Sequence, residues 1–241
     1  MLRFRRGVSA ASAACRAAAA DAEEGGCGGG DGPGRTVLRP FTKNADQQPV
    51  ILIDTSAGSI DHVYLRDLKL GNTAAPNARY EHSHGIGCVT TVNTKLVHFT
   101  AERVDVESMA GDGIHLEGAN AGTGAIVFVR LQDCTVSRCQ GSGYYIERTA
   151  MMQGQGCYAN GCQLFGAYCN ESHIAWYVSA FENNCQRVTP AGQPAYAKTG
   201  LAGSIYNPTY GAQLRLRLCA PARVDACDFE GFSEYVENTR G

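Results

Sequence analysis

CTVSRC at 134–139, CYANGC at 157–162 and AFENNC at 180–185 follow one another at intervals of 23 residues, and VDVESM at 104–109 precedes the first of them by 30. The additional seven residues fall in the Gly- and Ala-rich stretch from Gly118 to Ala125, the kind of insertion that stacked repeats carry on one face. A second block keeps step with the first. HGIGCV at 84–89, DGIHLE at 112–117, SGYYIE at 142–147 and FGAYCN at 165–170 align on Gly85, Gly113, Gly143 and Gly166, which mark a bend. Beyond each glycine the residues alternate, so strand geometry sends one set inward and the other outward. The inward columns are then Ile86, Ile114, Tyr144, Ala167 and Cys88, Leu116, Ile146, Cys169.

A return of 23 residues, built of short strands between Gly and Asn turns, is too short for helical repeats of 33 or 34 residues and lacks their long amphipathic helices. It suits a chain that coils so that equivalent residues lie one strand spacing apart, roughly 4.8 Å. The expected fold is therefore all-β, a right-handed single-stranded parallel β-helix. PVILID at 49–54, VYLRDLKL at 63–70 and AQLRLRLCAPARVDACDFEGF at 212–232 continue the alternation, while Gln186 to Asn207 reads as a long insertion. Residues 1–35 are Ala- and Gly-rich low-complexity sequence expected to be disordered or processed, and 36–241 form the β-helix domain. Arg3, Arg5 and Arg6 ahead of an Ala-rich run give a weak targeting signal, which Arg16 interrupts.

Composition narrows the function classes. Charged residues are 18% of the 241 and the formal net charge is −2, too little field to capture nucleic acid or an anionic membrane. No stretch approaches 18 consecutive apolar residues, so no membrane span is expected. Eleven cysteines raise disulfides and zinc, yet there is no CxxC pair and the count is odd. The repeat offers another account: Met109, Cys139, Cys162 and Cys185 form a stacked interior ladder. Parallel Cβ vectors one strand spacing apart lie outside the usual disulfide range of about 3.5–4.5 Å, so free thiols are expected there.

GDGIHLEG at 111–118, VRLQDCTVSRCQGSGYYIE at 129–147 and VDACDFEGF at 224–232 resemble the pectin-lyase-like superfamily, most closely the pectate-lyase-type β-helices of phage tailspikes and polysaccharide-degrading enzymes. The resemblance spans roughly Thr36 to Phe232. It implies a polysaccharide or oligosaccharide partner, an extracellular, cell-surface or virion location, and a homotrimer if the chain is tailspike-like. Two departures stand out. The family's opening segment with its short capping helix is missing before Val50, which suggests a truncated or atypical N-terminus. The polygalacturonase signature of paired aspartates, Gly-His-Gly and Arg-x-Lys is missing as well.

Two outward rows follow from the alignment: Gly87, His115, Tyr145, Tyr168, and beside it Val89, Glu117, Glu147, Asn170. Sugar chemistry needs flat rings for pyranose faces and carboxylates for acid, base or nucleophile roles. The catalytic candidates are Glu117, Glu147 and His115. Glu117 and Glu147 are expected about 5 Å apart on consecutive turns, as in a retaining glycosidase, with their repulsion raising one pKa. A β-eliminating lyase would instead use His115 or Tyr145 as base, with Arg148 or Arg79 stabilising the anion. The substrate-binding candidates are Tyr145, Tyr168, Arg148, Asn170 and His84, the last in the loop from Asn72 to His84 with His82. No metal site and no cofactor are expected, except a divalent cation such as calcium if the chain is a lyase. Asp112 is read as a turn former with Gly113, and Asn160, Asn183 and Asn184 as an asparagine ladder bonded to backbone. The alternative function is a non-catalytic β-helix module of a tailspike, adhesin or other surface protein, and a uronate epimerase is a third reading.

Overall fold

Alternating residues and a fixed return build two parallel sheets. A computed structural model describes residues 2–4, 36–38, 49–71, 82–119, 125–184, 213–230 and 236–239, and all its strand pairings are parallel. There is no helix among the described residues; the protein is all-β, with curled sheets. The first sheet runs Leu2–Phe4, Ile51–Asp54, Ile86–Val89, Ile114–Glu117, Tyr144–Glu147, Ala167–Asn170, Leu214–Arg217 and Val236–Thr239. Between consecutive members from Ile51–Asp54 to Ala167–Asn170, the chain passes through the second sheet and returns beside its previous pass. There it forms the long strands Ile60–Gly71 and Leu96–Glu107, then the pairs Ile126–Gln132 with Thr135–Ser137, Thr149–Gln155 with Tyr158–Asn160, and Ile174–Tyr177 with Ala180–Glu182. Ala222–Asp225 and Asp228–Glu230 extend this sheet at one end.

The registers match the aligned blocks. Ile86 pairs with Ile114, Ile114 with Tyr144 and Tyr144 with Ala167, while Cys88, Leu116, Ile146 and Cys169 follow in the same way. Both columns are buried in one continuous core with Phe99, Val129, Met152, Trp176 and Phe181 from the second sheet. Each fully buried side chain of this size contributes about 1.5–3 kcal/mol. Gln140 N donates to Met109 O at 2.8 Å and Gln163 N to Cys139 O at 2.9 Å, so Met109, Cys139 and Cys162 occupy successive positions of one interior file. Cys185 lies outside the described residues. The described cysteines are free thiols, and burial pushes the Cys139 thiol well above its ordinary pKa.

The corners have their own column. Asp67, Arg103, Asp133, Gly156, Val178 and Ala226 all take positive φ, between 47° and 62°, and lie opposite one another in the parallel register. A left-handed residue bends the strand, and most non-glycine side chains adopt it at a cost of about 1 kcal/mol. Stacked corner side chains offset part of that cost: Arg103 donates to both carboxylate oxygens of Asp67, at 2.6 and 3.0 Å.

The glycines at the bend serve a different need from the conformational one that their sequence position suggests. None of Gly85, Gly113, Gly143 and Gly166 has positive φ. A Cβ at Gly113 would instead lie 2.2 Å from Val136 Cγ1 and 2.7 Å from the Gly143 carbonyl oxygen, and the other three meet the next turn's carbonyl at 2.5–2.7 Å. The column lets successive turns approach. Of the expected asparagine ladder, Asn184 fits: its Oδ1 accepts Cys162 N at 2.9 Å and its Nδ2 donates to Ala159 O at 3.0 Å. Asn160 departs from it, donating to the Tyr158 hydroxyl and to Glu182. Its strand faces a glutamate and a phenol on the same outer surface, and these stronger acceptors take its amide.

Candidate functional site

Strand alternation places the chemistry. In Ile114–Glu117 the apolar Ile114 and Leu116 point inward, so His115 and Glu117 point outward. Tyr144–Glu147 and Ala167–Asn170 repeat the pattern and set Tyr145 and Tyr168 beside His115, and Glu147 and Asn170 beside Glu117. Leu214–Arg217 adds Arg215 and Arg217 to the two rows. The rows anticipated from the 23- and 30-residue returns are therefore assembled, with His84 joining the first from the preceding turn.

The first row packs against itself. His84 and His115 stack with ring centroids 4.1 Å apart, His115 and Tyr145 with 4.4 Å at 1° between planes, and Tyr145 and Tyr168 with 5.1 Å. Phe165 meets Tyr168 at 5.6 Å, and the Arg215 guanidinium lies 5.9 Å from the Phe165 ring. Rings one strand spacing apart cover one another's faces. Tyr145 and Tyr168 are buried, at 1% and 0% exposure, and offer no open face of the kind expected from the sequence. His84, Glu147 and Asn170 are buried as well.

A chain of polar contacts crosses both rows. Asp112, which the sequence reading took for a turn former, accepts Ser142 N–H on Oδ1 at 2.6 Å and holds His115 Nδ1 on Oδ2 at 2.8 Å. On the far side of the ring, His115 Nε2 lies 3.3 Å from Glu117 Oε2. Arg148, at the corner after Tyr144–Glu147, reaches Glu117 Oε1 at 3.5 Å, donates to Glu147 Oε1 through Nε at 3.1 Å and more closely through Nη2, and donates to Gly118 O at 3.0 Å. Glu171 approaches its Nε at 3.8 Å. The Tyr145 hydroxyl donates to the other oxygen of Glu147. The two glutamates are thus joined through one guanidinium, which offsets the mutual repulsion expected of them. Both oxygens of Glu147 are engaged, and Glu117 is the more open carboxylate, with 29% of its side chain exposed. Asp-Gly is so common a turn signal that it hides this second role of Asp112; its position three residues before an outward histidine is the available clue. Arg79 lies outside the described residues, and His82 is exposed at the edge of this region.

Burial lowers the His115 pKa, but hydrogen bonds to Asp112 and Glu117 and the two negative charges outweigh it, and the net shift is upward. A raised pKa means that the folded protein holds the proton more tightly than the unfolded chain, so the contribution to stability is complete below the unfolded value, about 6.5, and is lost as pH rises through the folded value. Urea unfolding of wild type and His115→Gln should therefore show a larger stability difference at about pH 5.5 than at about pH 9. An equal difference at both pH values contradicts a charged His115. Arg148 gives a second expectation. Arg148→Ala leaves the buried Glu147 carboxylate with Tyr145 as its remaining hydrogen-bond donor, which should lower stability by about 2 kcal/mol, the figure being reduced because the guanidinium is itself partly exposed. Loss of less than about 0.5 kcal/mol in the same urea measurement would sink the bridging role.

Donor atoms of His84, Asp112 and His115 lie within 4.8 Å of one another. These donor atoms are already engaged with one another: His84 Nδ1 accepts Asp112 N–H at 3.0 Å, and Asp112 Oδ2 holds His115 Nδ1 at 2.8 Å. Calcium takes 6–8 oxygens; among the described residues the partly exposed carboxylates Glu117 and Glu171 both face Arg148.

No protein-family model matches the chain, and no curated protein or solved structure matches it.

Proposed function

We propose that the chain is a right-handed parallel β-helix of the pectin-lyase-like kind, which binds a polysaccharide along the outer edge of its first sheet and cleaves it with Glu117. The right hand is what nearly all strand-to-parallel-strand crossovers take. The single observation that carries the functional reading is the Asp112–His115–Glu117 chain reaching Arg148, buried at Asp112 and partly exposed at Glu117. Asp112 orients the imidazole, His115 holds a proton against Glu117, and Glu117 exchanges a proton with the glycosidic oxygen or with water, as a general acid and base does. Glu147, held by Tyr145 and Arg148, is a fixed negative charge that favours a developing oxocarbenium ion.

Hydrolysis of an uncharged glycan is favoured over elimination from a uronate. Arg148, the cation beside Glu117, is already shared among Glu117, Glu147 and Glu171, so it is poorly placed to stabilise the carboxylate-adjacent anion that elimination needs. Incubating the protein with a broad polysaccharide panel should yield new reducing ends without the ultraviolet absorbance of an unsaturated uronate. That absorbance would move the assignment to a lyase, and an unchanged panel would remove the catalytic reading.

One observation favours a second reading. Tyr145, Tyr168, Glu147 and Asn170 are all buried, which is how a purely structural ladder in a non-catalytic β-helix module of a tailspike, adhesin or other surface protein would look. Binding of oligosaccharide without cleavage, or neither, would support that module. Trimerisation, expected of a tailspike-like chain, is read by sedimentation of the full chain.

A further inference from the structure

The second sheet carries another cluster of donor atoms, independent of the proposed glycan site. In Ile60–Gly71 the inward residues Ile60 and Val63 are three apart, so the strand's alternation breaks and both Asp61 and His62 face outward. Leu96–Glu107 repeats the break between Leu96 and Phe99, and the parallel register sets His62 directly beside His98. The imidazoles stack with centroids 4.4 Å apart, and Phe128 backs His98 at 5.0 Å, holding that ring in place. Asp61 approaches both rings from the side: Oδ2 lies 3.3 Å from His62 Nδ1 and Oδ1 lies 3.4 Å from His98 Nδ1.

These separations are informative. A charge-assisted hydrogen bond between imidazolium and carboxylate is about 2.7–2.9 Å long, and His98 Nδ1 is shielded from solvent with no hydrogen-bond partner. Both imidazole nitrogens thus face the Asp61 carboxylate, one at each oxygen, at separations longer than such a hydrogen bond. Asp61, His62 and His98 have their donor atoms within 4.8 Å of one another. We propose that Asp61, His62 and His98 form a surface site for a borderline divalent cation of the zinc type, bound by two imidazole nitrogens and one carboxylate oxygen. Parallel rings do not aim at one ion, so one must turn. His62, with 70% of its side chain exposed, has the room to do so, whereas Phe128 restrains His98. Water completes the coordination on the solvent side, leaving an open position of the kind that zinc uses for exchange. Two nitrogens and one oxygen select zinc, nickel or copper over calcium or magnesium, which prefer all-oxygen ligands.

The test is metal titration of the full chain after dialysis against a chelator, with zinc followed by calorimetry and cobalt by absorption. The expected result is one equivalent of zinc bound in the wild type and lost in His62→Gln and His98→Gln, with affinity in Asp61→Asn weakened at least about tenfold. The cobalt complex should show tetrahedral visible bands and lack the ultraviolet charge-transfer bands of thiolate ligands. Zinc binding that is unaltered in all three variants overturns the site. Thiolate bands would do the same by assigning the metal to cysteines. Should either histidine variant unfold, Asp61→Asn decides, because Asp61 is 73% exposed.

Discussion

Gly113→Val should lower the unfolding free energy by about 4 kcal/mol or more and leave little folded protein at ambient temperature if the parent is marginal. The first added carbon already meets Val136 Cγ1 at 2.2 Å and the Gly143 carbonyl at 2.7 Å. One of those neighbours is a side chain that turns only by disturbing the core, and the other is backbone held by the parallel ladder. Ile114 N donates to that same Gly143 oxygen at 3.0 Å, so moving the carbonyl also breaks the bond that joins two turns. Overpacking of this kind ordinarily costs about 1–3 kcal/mol; a branched side chain against backbone lies above that range. Gly71→Ala is the control, since a Cβ there meets nothing within 4 Å, and it should stay within about 0.5 kcal/mol of wild type. Urea unfolding of both variants checks the pair, and equal stabilities would contradict close stacking of the turns.

Glu117→Gln should reduce polysaccharide cleavage by about 10²–10⁴-fold, the range that a positioned general acid or base supplies. Glutamine keeps the size of the side chain and its approach to Arg148, so the folded structure and the binding of oligosaccharide should persist while turnover falls. His115→Asn should fall by a smaller factor and also flatten one limb of the pH profile, because the raised imidazole pKa no longer contributes. If Glu117→Gln turns over at the wild-type rate, Glu117 is not the acid or base. A comparable loss in Glu147→Gln, accompanied by lower stability, would fit a carboxylate fixed by Tyr145 and Arg148 rather than one that transfers protons.

The interior was open to reading because it obeys two periods at once. Alternation within a strand separates Ile114 and Leu116 from His115 and Glu117, and the 23- and 30-residue returns stack each of these on its counterpart. The outward rows were composed correctly for the same reason. Their exposure was not readable. A file of His115, Tyr145 and Tyr168 looks from sequence like a platform for sugar rings, yet the rings stack on one another and both tyrosines are buried. Sequence offers Arg148 as a cation for substrate but does not show that its corner position also carries it back over its own strand to Glu147. The pair His62 and His98 is not legible in the sequence because it depends on where the backbone departs from plain alternation. Such breaks arise from how one turn seats on the next, and no single segment encodes them.

A crystal structure of the protein soaked with a neutral oligosaccharide tests the proposed site most directly. The expected density places a glycosidic oxygen within hydrogen-bond reach of the Glu117 carboxylate, with the sugar lying over Arg148 and outside the stacked rings of Tyr145 and Tyr168. Sugar bound elsewhere on the protein, with Glu117 untouched, or no sugar at any concentration soaked, contradicts the assignment.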